Sequence, residues 1–122
     1  MFKKKILVVE DEMDIAENIA VRLEVEGYLP LVAHDGKAGV DTARGEKPAL
    51  ILLDVLLPKI DGFEVCKILK GSPDTKKIPI VMLTSLSAVG DIEKAFASGA
   101  DDYLAKPFEY DRLLKKIKTF VE

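Results

Sequence analysis

The sequence predicts an α/β fold, a doubly wound (βα)5 three-layer sandwich around a five-stranded parallel sheet. Two observations predict it: five short apolar runs recur along the 122 residues, and the segments between them repeat apolar residues at helical spacing. Strands that alternate with helices have to be joined by right-handed crossovers, which makes the sheet parallel. The runs are ILVV (6–9), YLPLVA (28–33), ALILL (49–53), IPIVML (78–83) and YLA (103–105).

The first helix is expected over 12–26, where Ile15, Ile19 and Leu23 stand four apart and Gly27 offers a stop. Gly45 and Gly99 sit where the second and fourth helices should end. Asp61-Gly62 reads as a turn that caps the third helix, and the Ala-rich EKAFASGA suits a packed fourth helix. The last helix places Tyr110, Leu113, Leu114, Ile117, Phe120 and Val121 on one stripe, with Arg112, Lys115, Lys116 and Lys118 largely off it.

Strand order can be argued from chemistry. The first, third and fourth runs are unbroken apolar segments, as expected where helices cover both faces. Pro30 fits an edge strand better than a central one, and the short fifth strand comes after Asp101-Asp102, a charged edge that discourages sheet-to-sheet pairing. Runs two and five at the edges give the order 2-1-3-4-5, which flavodoxins share. In such sheets the site lies beyond the carboxyl ends of the strands.

Composition narrows the function. With 18 Lys and Arg against 21 Asp and Glu, the net charge is −3, which leaves no electrostatic footprint for nucleic acid. No apolar run approaches the ~20 residues of a membrane helix, and the four apolar residues after MFKKK are too few for a signal-peptide core. A cytoplasmic protein of one domain, residues 1–122, is expected. Cys66 and His34 are the only cysteine and histidine, which excludes disulfides, Cys/His zinc sites and Cys-His catalysis that needs more than one imidazole. Cys66 reads as a small packed residue, and His34 as a solvent-facing ring with no chemistry.

At the carboxyl ends stand Glu10-Asp11-Glu12, Asp54, Thr84-Ser85 and Lys106-Pro107. Carboxylates crowded there repel by ~4 kcal/mol per close pair at an effective dielectric near 20. A hard divalent cation, Mg²⁺, relieves that repulsion, and so does the Lys106 ammonium, expected to salt-bridge Asp54. Acids after the first strand also suit the start of a helix, so helix capping is the rival reading for Glu10-Asp11-Glu12. Asp54 directly after four apolar residues is a costly place for an idle charge. A metal-bound carboxylate beside a lysine suits phosphoryl transfer. Asp54 serves as nucleophile, the cation and Lys106 neutralise phosphoryl oxygens, and the Thr84 hydroxyl donates to one of them. With no second histidine to break the product down, the phosphorylated form should persist long enough to be read.

The stretches KILVVEDE, LILLDVLLPKIDG, IPIVMLTS and GADDYLAKPF, in this order, resemble the receiver domains of bacterial two-component response regulators of the chemotaxis-regulator type, over nearly the whole chain. The resemblance implies that Asp54 accepts a phosphoryl group from a sensor histidine kinase or phosphotransfer protein. It implies a metal site of Glu10, Asp11, Asp54 and the Leu56 main-chain carbonyl, taking Mg²⁺, with Mn²⁺ as a substitute. Thr84 and Lys106 match the family's phosphoryl-binding hydroxyl and lysine, with Ser85 beside Thr84 read for its small size. Tyr103 matches the aromatic switch, and Lys106-Pro107 the cis peptide. Thr84 is then expected to move toward the phosphoryl group and Tyr103 to swing in behind it. That would reshape the surface of helix four, strand five and helix five for a downstream effector, an output domain or a phosphorylation-dependent homodimer. Slow autodephosphorylation is the only turnover implied, and neither nucleic acid nor membrane is an expected partner of this domain. Glu10 stands where many members have aspartate. Leu56 and Leu86 are apolar where others carry polar groups, so the phosphoryl lifetime is not carried over.

Three rival functions are weaker. A flavodoxin wants a Ser/Thr/Gly-rich phosphate loop where this chain has Glu-Asp-Glu. An Asp-nucleophile phosphohydrolase wants an acid at Leu56. A phosphate-independent interaction module would have lost part of the acid–Thr–Lys set, which is complete here.

Overall fold

The computed structural model describes residues 3–85 and 89–122. Five strands alternate with five helices: β1 (Lys5–Val9), α1 (Met13–Val25), β2 (Leu29–Ala33), α2 (Gly36–Glu46), β3 (Leu50–Asp54), α3 (Gly62–Lys70), β4 (Ile80–Thr84), α4 (Val89–Ala97), β5 (Asp102–Ala105) and α5 (Tyr110–Val121). The strands form one parallel sheet in the order β2-β1-β3-β4-β5, as their chemistry predicts. None of the described helices is long and apolar enough to cross a membrane.

Side chains alternate across the sheet. Leu7, Val9, Ile51, Leu53 and Met82 pack against Val40, Phe63, Val65, Cys66, Leu69 and Ala95, which come from α2, α3 and α4. Ile6, Val8, Leu50, Leu52, Val81 and Leu83 pack on the other face against Ile19 and Leu23 of α1 and Leu113 and Ile117 of α5. Burying one such side chain is worth about 1.5–3 kcal/mol, so a few residues of β3 already outweigh one repelling carboxylate pair at the rim. Packing of this strength lets the carboxyl ends hold a charge excess.

Two helices stop where glycine permits a left-handed residue. Gly27 (φ 91°) and Gly99 (φ 105°) come just after α1 and α4. Beside them the Tyr28 amide donates to the Leu23 carbonyl and the Ala100 amide to Ala95, which satisfies orphan carbonyls of the last turn. α2 departs from expectation. Gly45 lies within its last turn, and the left-handed cap is Lys47 (φ 48°), whose ammonium reaches the Asp74 carbonyl at 3.0 Å. That tether, from a residue 27 positions away, has no local signature.

At the β2 edge the Leu29 amide donates to Lys4 and the Ala33 carbonyl accepts from Glu10, so strand alternation turns the Pro30 nitrogen outward. The open edge therefore loses a donor and no ladder bond. At the β5 edge the charged pair is present as expected, with Asp101 exposed and Asp102 half-buried, and both acids also make bonds within the chain. Asp101 accepts from the Ile80 amide and the Lys70 ammonium, each at 2.8 Å, and Asp102 pairs with Lys116 at 2.8 Å.

Candidate functional site

Each strand ends at the same rim, and each delivers one part of the site. Glu10 comes directly after β1 and is completely buried. Its amide donates to the Ala33 carbonyl at 3.0 Å, and its own carbonyl lies 3.1 Å from His34 Nδ1. Asp54 is the last residue of β3 and 5% exposed. Its chain continues into a turn that glycine alone allows. The Gly62 amide donates to the Val55 carbonyl at 2.8 Å, and a Cβ on Gly62 would stand 2.3 Å from the Asp54 carbonyl oxygen. Asp61 caps α3 by accepting from the Glu64 amide, so Asp61-Gly62 holds the start of α3 against the acidic strand end.

Lys106 extends from the end of β5 and bridges the two acids. Its Nζ is 2.6 Å from Glu10 Oε1 and 3.4 Å from Asp54 Oδ2. The salt bridge to Asp54 that the sequence predicts is present, and Glu10 adds a closer one, its additional methylene carrying its carboxylate further from the strand. The remaining oxygens meet backbone donors: Glu10 Oε2 accepts from the Glu12 amide at 3.2 Å and Asp54 Oδ1 from the Leu56 amide at 3.3 Å. Asp11 is exposed, and one oxygen from each of Glu10, Asp11 and Asp54 lies within 4.8 Å of the others. Glu12 occupies the N-cap of α1 without a side-chain bond to the helix, so the acidic run does not act as a conventional capping residue.

The carboxyls respond to this crowding in opposite directions. Burial, then the hydrogen bond and charge of Glu10, push Asp54 from 3.8 up to about 6, and Lys106 and the Leu56 amide pull it back only in part. Burial also works against ionised Glu10, yet bonds from Lys106, Asp54 and the Glu12 amide outweigh it and hold Glu10 below the ordinary range. Lys106 is disfavoured by burial but raised above its ordinary value by Glu10 and Asp54. The two acids behave as a pair in which Glu10 carries the charge and Asp54 holds the proton more readily. Three hard oxygen donors and one half-buried ammonium suit a hard divalent cation, which takes one or two carboxylates and keeps water for the rest.

The ends of β4 and β5 complete the rim. Thr84 ends β4 and is buried, and Ser85 is exposed in the bend beyond it. The Lys106 amide donates to the Thr84 carbonyl at 2.7 Å, which ties the two strand ends together. The Lys106-Pro107 peptide is cis. Tyr103 pairs in register with Met82, so Tyr103, Met82 and Thr84 share the sheet face that α4 covers. The half-buried Tyr103 ring meets Phe96 of α4 edge-on, with centroids 5.9 Å apart. Leu56 is exposed beside Asp54, and Leu86 lies outside the described residues. Cys66 is buried, and burial raises its thiol, in keeping with a packed residue.

His34 faces solvent, as expected, and also makes a contact that the sequence does not announce. The ring is exposed, but it bonds to the main chain of Glu10. The signal for it lay in register: Val9 pairs with Ala33, so the next rung sets His34 beside Glu10.

Residues 6–118 match the family model for the response regulator receiver domain. The DNA-binding dual master transcriptional regulator RpaA of Synechocystis is 40% identical over 117 residues, covering 96% of this chain and 48% of that protein. The chain thus spans about half the length of this curated relative. A putative response regulator from Chloroflexus aurantiacus superposes with a TM-score of 0.93 at 35% identity, covering 98% of both chains. The receiver domain of sensor histidine kinase PA1611 from Pseudomonas aeruginosa, with a magnesium ion coordinated in its active site cleft, superposes with a TM-score of 0.91 at 30% identity, again covering 98% of both chains.

Proposed function

The chain belongs to the response regulator receiver domains of two-component signalling, and on that premise we propose that it is a phosphorylation-activated switch whose phosphoryl acceptor is Asp54. As a receiver it is a signalling domain rather than a metabolic enzyme. One observation supports the assignment above the others: on the end of a fully buried central strand, Asp54 shares one ammonium with a second buried acid and holds its proton up to about pH 6. Two acids crowded on one ammonium at a strand end, with their proton affinities pushed apart, are the arrangement expected of a functional site.

In the proposed step, an ionised Asp54 oxygen attacks the phosphorus of a phosphohistidine on a sensor kinase or phosphotransfer protein. The P–N bond breaks with its electrons returning to the imidazole, and an acyl phosphate forms on Asp54. Glu10, Asp11 and Asp54, with the Leu56 carbonyl, would hold Mg²⁺, or Mn²⁺ in its place. When bound, the cation supplies charge neutralisation for the transferring phosphoryl oxygens. Lys106 releases Asp54 to pair with a phosphoryl oxygen, and the Thr84 hydroxyl donates to another, with Ser85 small enough to leave room. The same groups permit slow autodephosphorylation and acceptance from small phosphodonors.

The new charge, roughly −1.5 to −2, draws Thr84 toward the site. Tyr103 on the same sheet face moves into the vacated space and leaves Phe96, which changes the α4–β5–α5 surface. An effector, an output domain or a second copy of the chain reads that surface, in the cytoplasm where the kinase presents its phosphohistidine. The receiver occupies residues 1–122.

Intact-mass measurement after acetyl phosphate and Mg²⁺ tests the acceptor. Wild type is expected to gain about 80 Da, one phosphoryl group, and Asp54→Asn to gain nothing. An adduct on both proteins removes Asp54 from the role.

A further inference from the structure

We propose that His34 is a positioning residue for the cation-binding acids, acting through the peptide that joins Glu10 to Asp11. The inference rests on reading those acids as cation ligands. β1 and β2 exchange ladder bonds up to the Glu10 amide, which donates to Ala33. The next rung would need a β2 amide to donate to the Glu10 carbonyl, but β2 ends at Ala33 and the chain turns at Asp35 to cap α2. The His34 ring stands in that place with Nδ1 3.1 Å from Glu10 O, and in the tautomer protonated at Nδ1 it supplies the missing donor.

The bond matters because of the residue next along the chain. Glu10 C=O and the Asp11 N–H belong to one rigid peptide plane, so fixing the oxygen fixes the direction in which Asp11 leaves. Glu10 is well held, buried with its carboxylate bonded to Lys106 and the Glu12 amide. Asp11 lies in neither a strand nor a helix and is exposed. With that plane clamped by His34, the Asp11 Cα is set in place, and its carboxylate lies within 4.8 Å of the other two. The ring also lines an open groove with Met13, Ala16, Glu17, Ala20 and Val32, so water would replace a lost ring but would not hold the plane.

The test is Mg²⁺ affinity by calorimetric titration, without phosphorylation, on wild type, His34→Ala and His34→Asn. Asn places an N–H on the same γ carbon as Nδ1 and can keep the bond. We expect His34→Ala to bind Mg²⁺ about tenfold more weakly, as loss of an outer hydrogen bond does at metal sites, and His34→Asn to recover most of it. The neutral ring of the wild type should carry its proton on Nδ1 in ¹⁵N spectra. Unchanged affinity in His34→Ala, equal weakening in both variants, or a proton on Nε2 overturns the positioning role. Failure of wild type to bind Mg²⁺ at all overturns the underlying reading of the acids instead.

Discussion

The sheet has a lysine–aspartate cluster at each end, and the two are built to opposite balances. At the amino end of β4, Lys70 donates to Asp101 and the Ile78 carbonyl at 2.8 Å and to the Lys76 carbonyl at 3.3 Å, while Asp101 also accepts from the Ile80 amide. One cation meets one acid, and every contact serves to join α3, β4 and the start of β5. At the carboxyl end one lysine faces two buried acids, with a third nearby. Both clusters would count as salt bridges, but only the second leaves charge over. The excess of acids over ammonium groups, rather than the presence of an ion pair, marks the end that does chemistry.

Substitution should separate the two ends by sign. Asp101→Ala strips Lys70 of its counter-charge and the Ile80 amide of its acceptor, and is expected to cost about 2–3 kcal/mol in urea unfolding. Asp54→Asn removes one of two competing acids and is expected to stabilise the metal-free domain at pH 7. The gain is about 2 kcal/mol, somewhat under what the rise from 3.8 to about 6 converts to. If Asp54→Asn destabilises as Asp101→Ala does, the carboxyl end is a structural cluster and the contrast fails.

The same contrast explains what the sequence could reveal. Strand order was legible because Pro30 and the unbroken apolar runs are local features with one physical meaning in a sheet. The rim set was legible because parallel topology gathers strand ends whatever their separation in sequence. Pairings across the fold were not. Asp101 is the exposed edge charge that the sequence suggests, but its bond to Lys70, 31 residues away on a helix, was not legible. The Lys106–Asp54 bridge was legible, but the closer contact to Glu10 was not, because nothing local reports the reach of Glu10. The cap at Lys47 likewise depends on a tether to Asp74. Composition and periodicity report what each residue prefers, and these contacts depend on which neighbours the fold supplies.

The smallest expected effect is the dependence of metal-free stability on pH. Asp54 is raised by folding, so its contribution favours the folded state at low pH and is lost as pH rises through about 6. Glu10 is lowered, so its contribution is present above the ordinary carboxylate range and is lost only as pH falls below it. Of these two acids only Asp54 changes charge between pH 7 and 5, and its protonation should stabilise the domain by about 1 kcal/mol. Most proteins with paired carboxylates drift the other way over that range, so the sign discriminates. Asp54→Asn should abolish the gain and Asp101→Asn should leave it intact. Saturating Mg²⁺ should reverse it, because protonating Asp54 then competes with the cation. A metal-free wild type that loses stability from pH 7 to 5 would show that Lys106 neutralises both acids, and the carboxyl end would then be as balanced as the amino end.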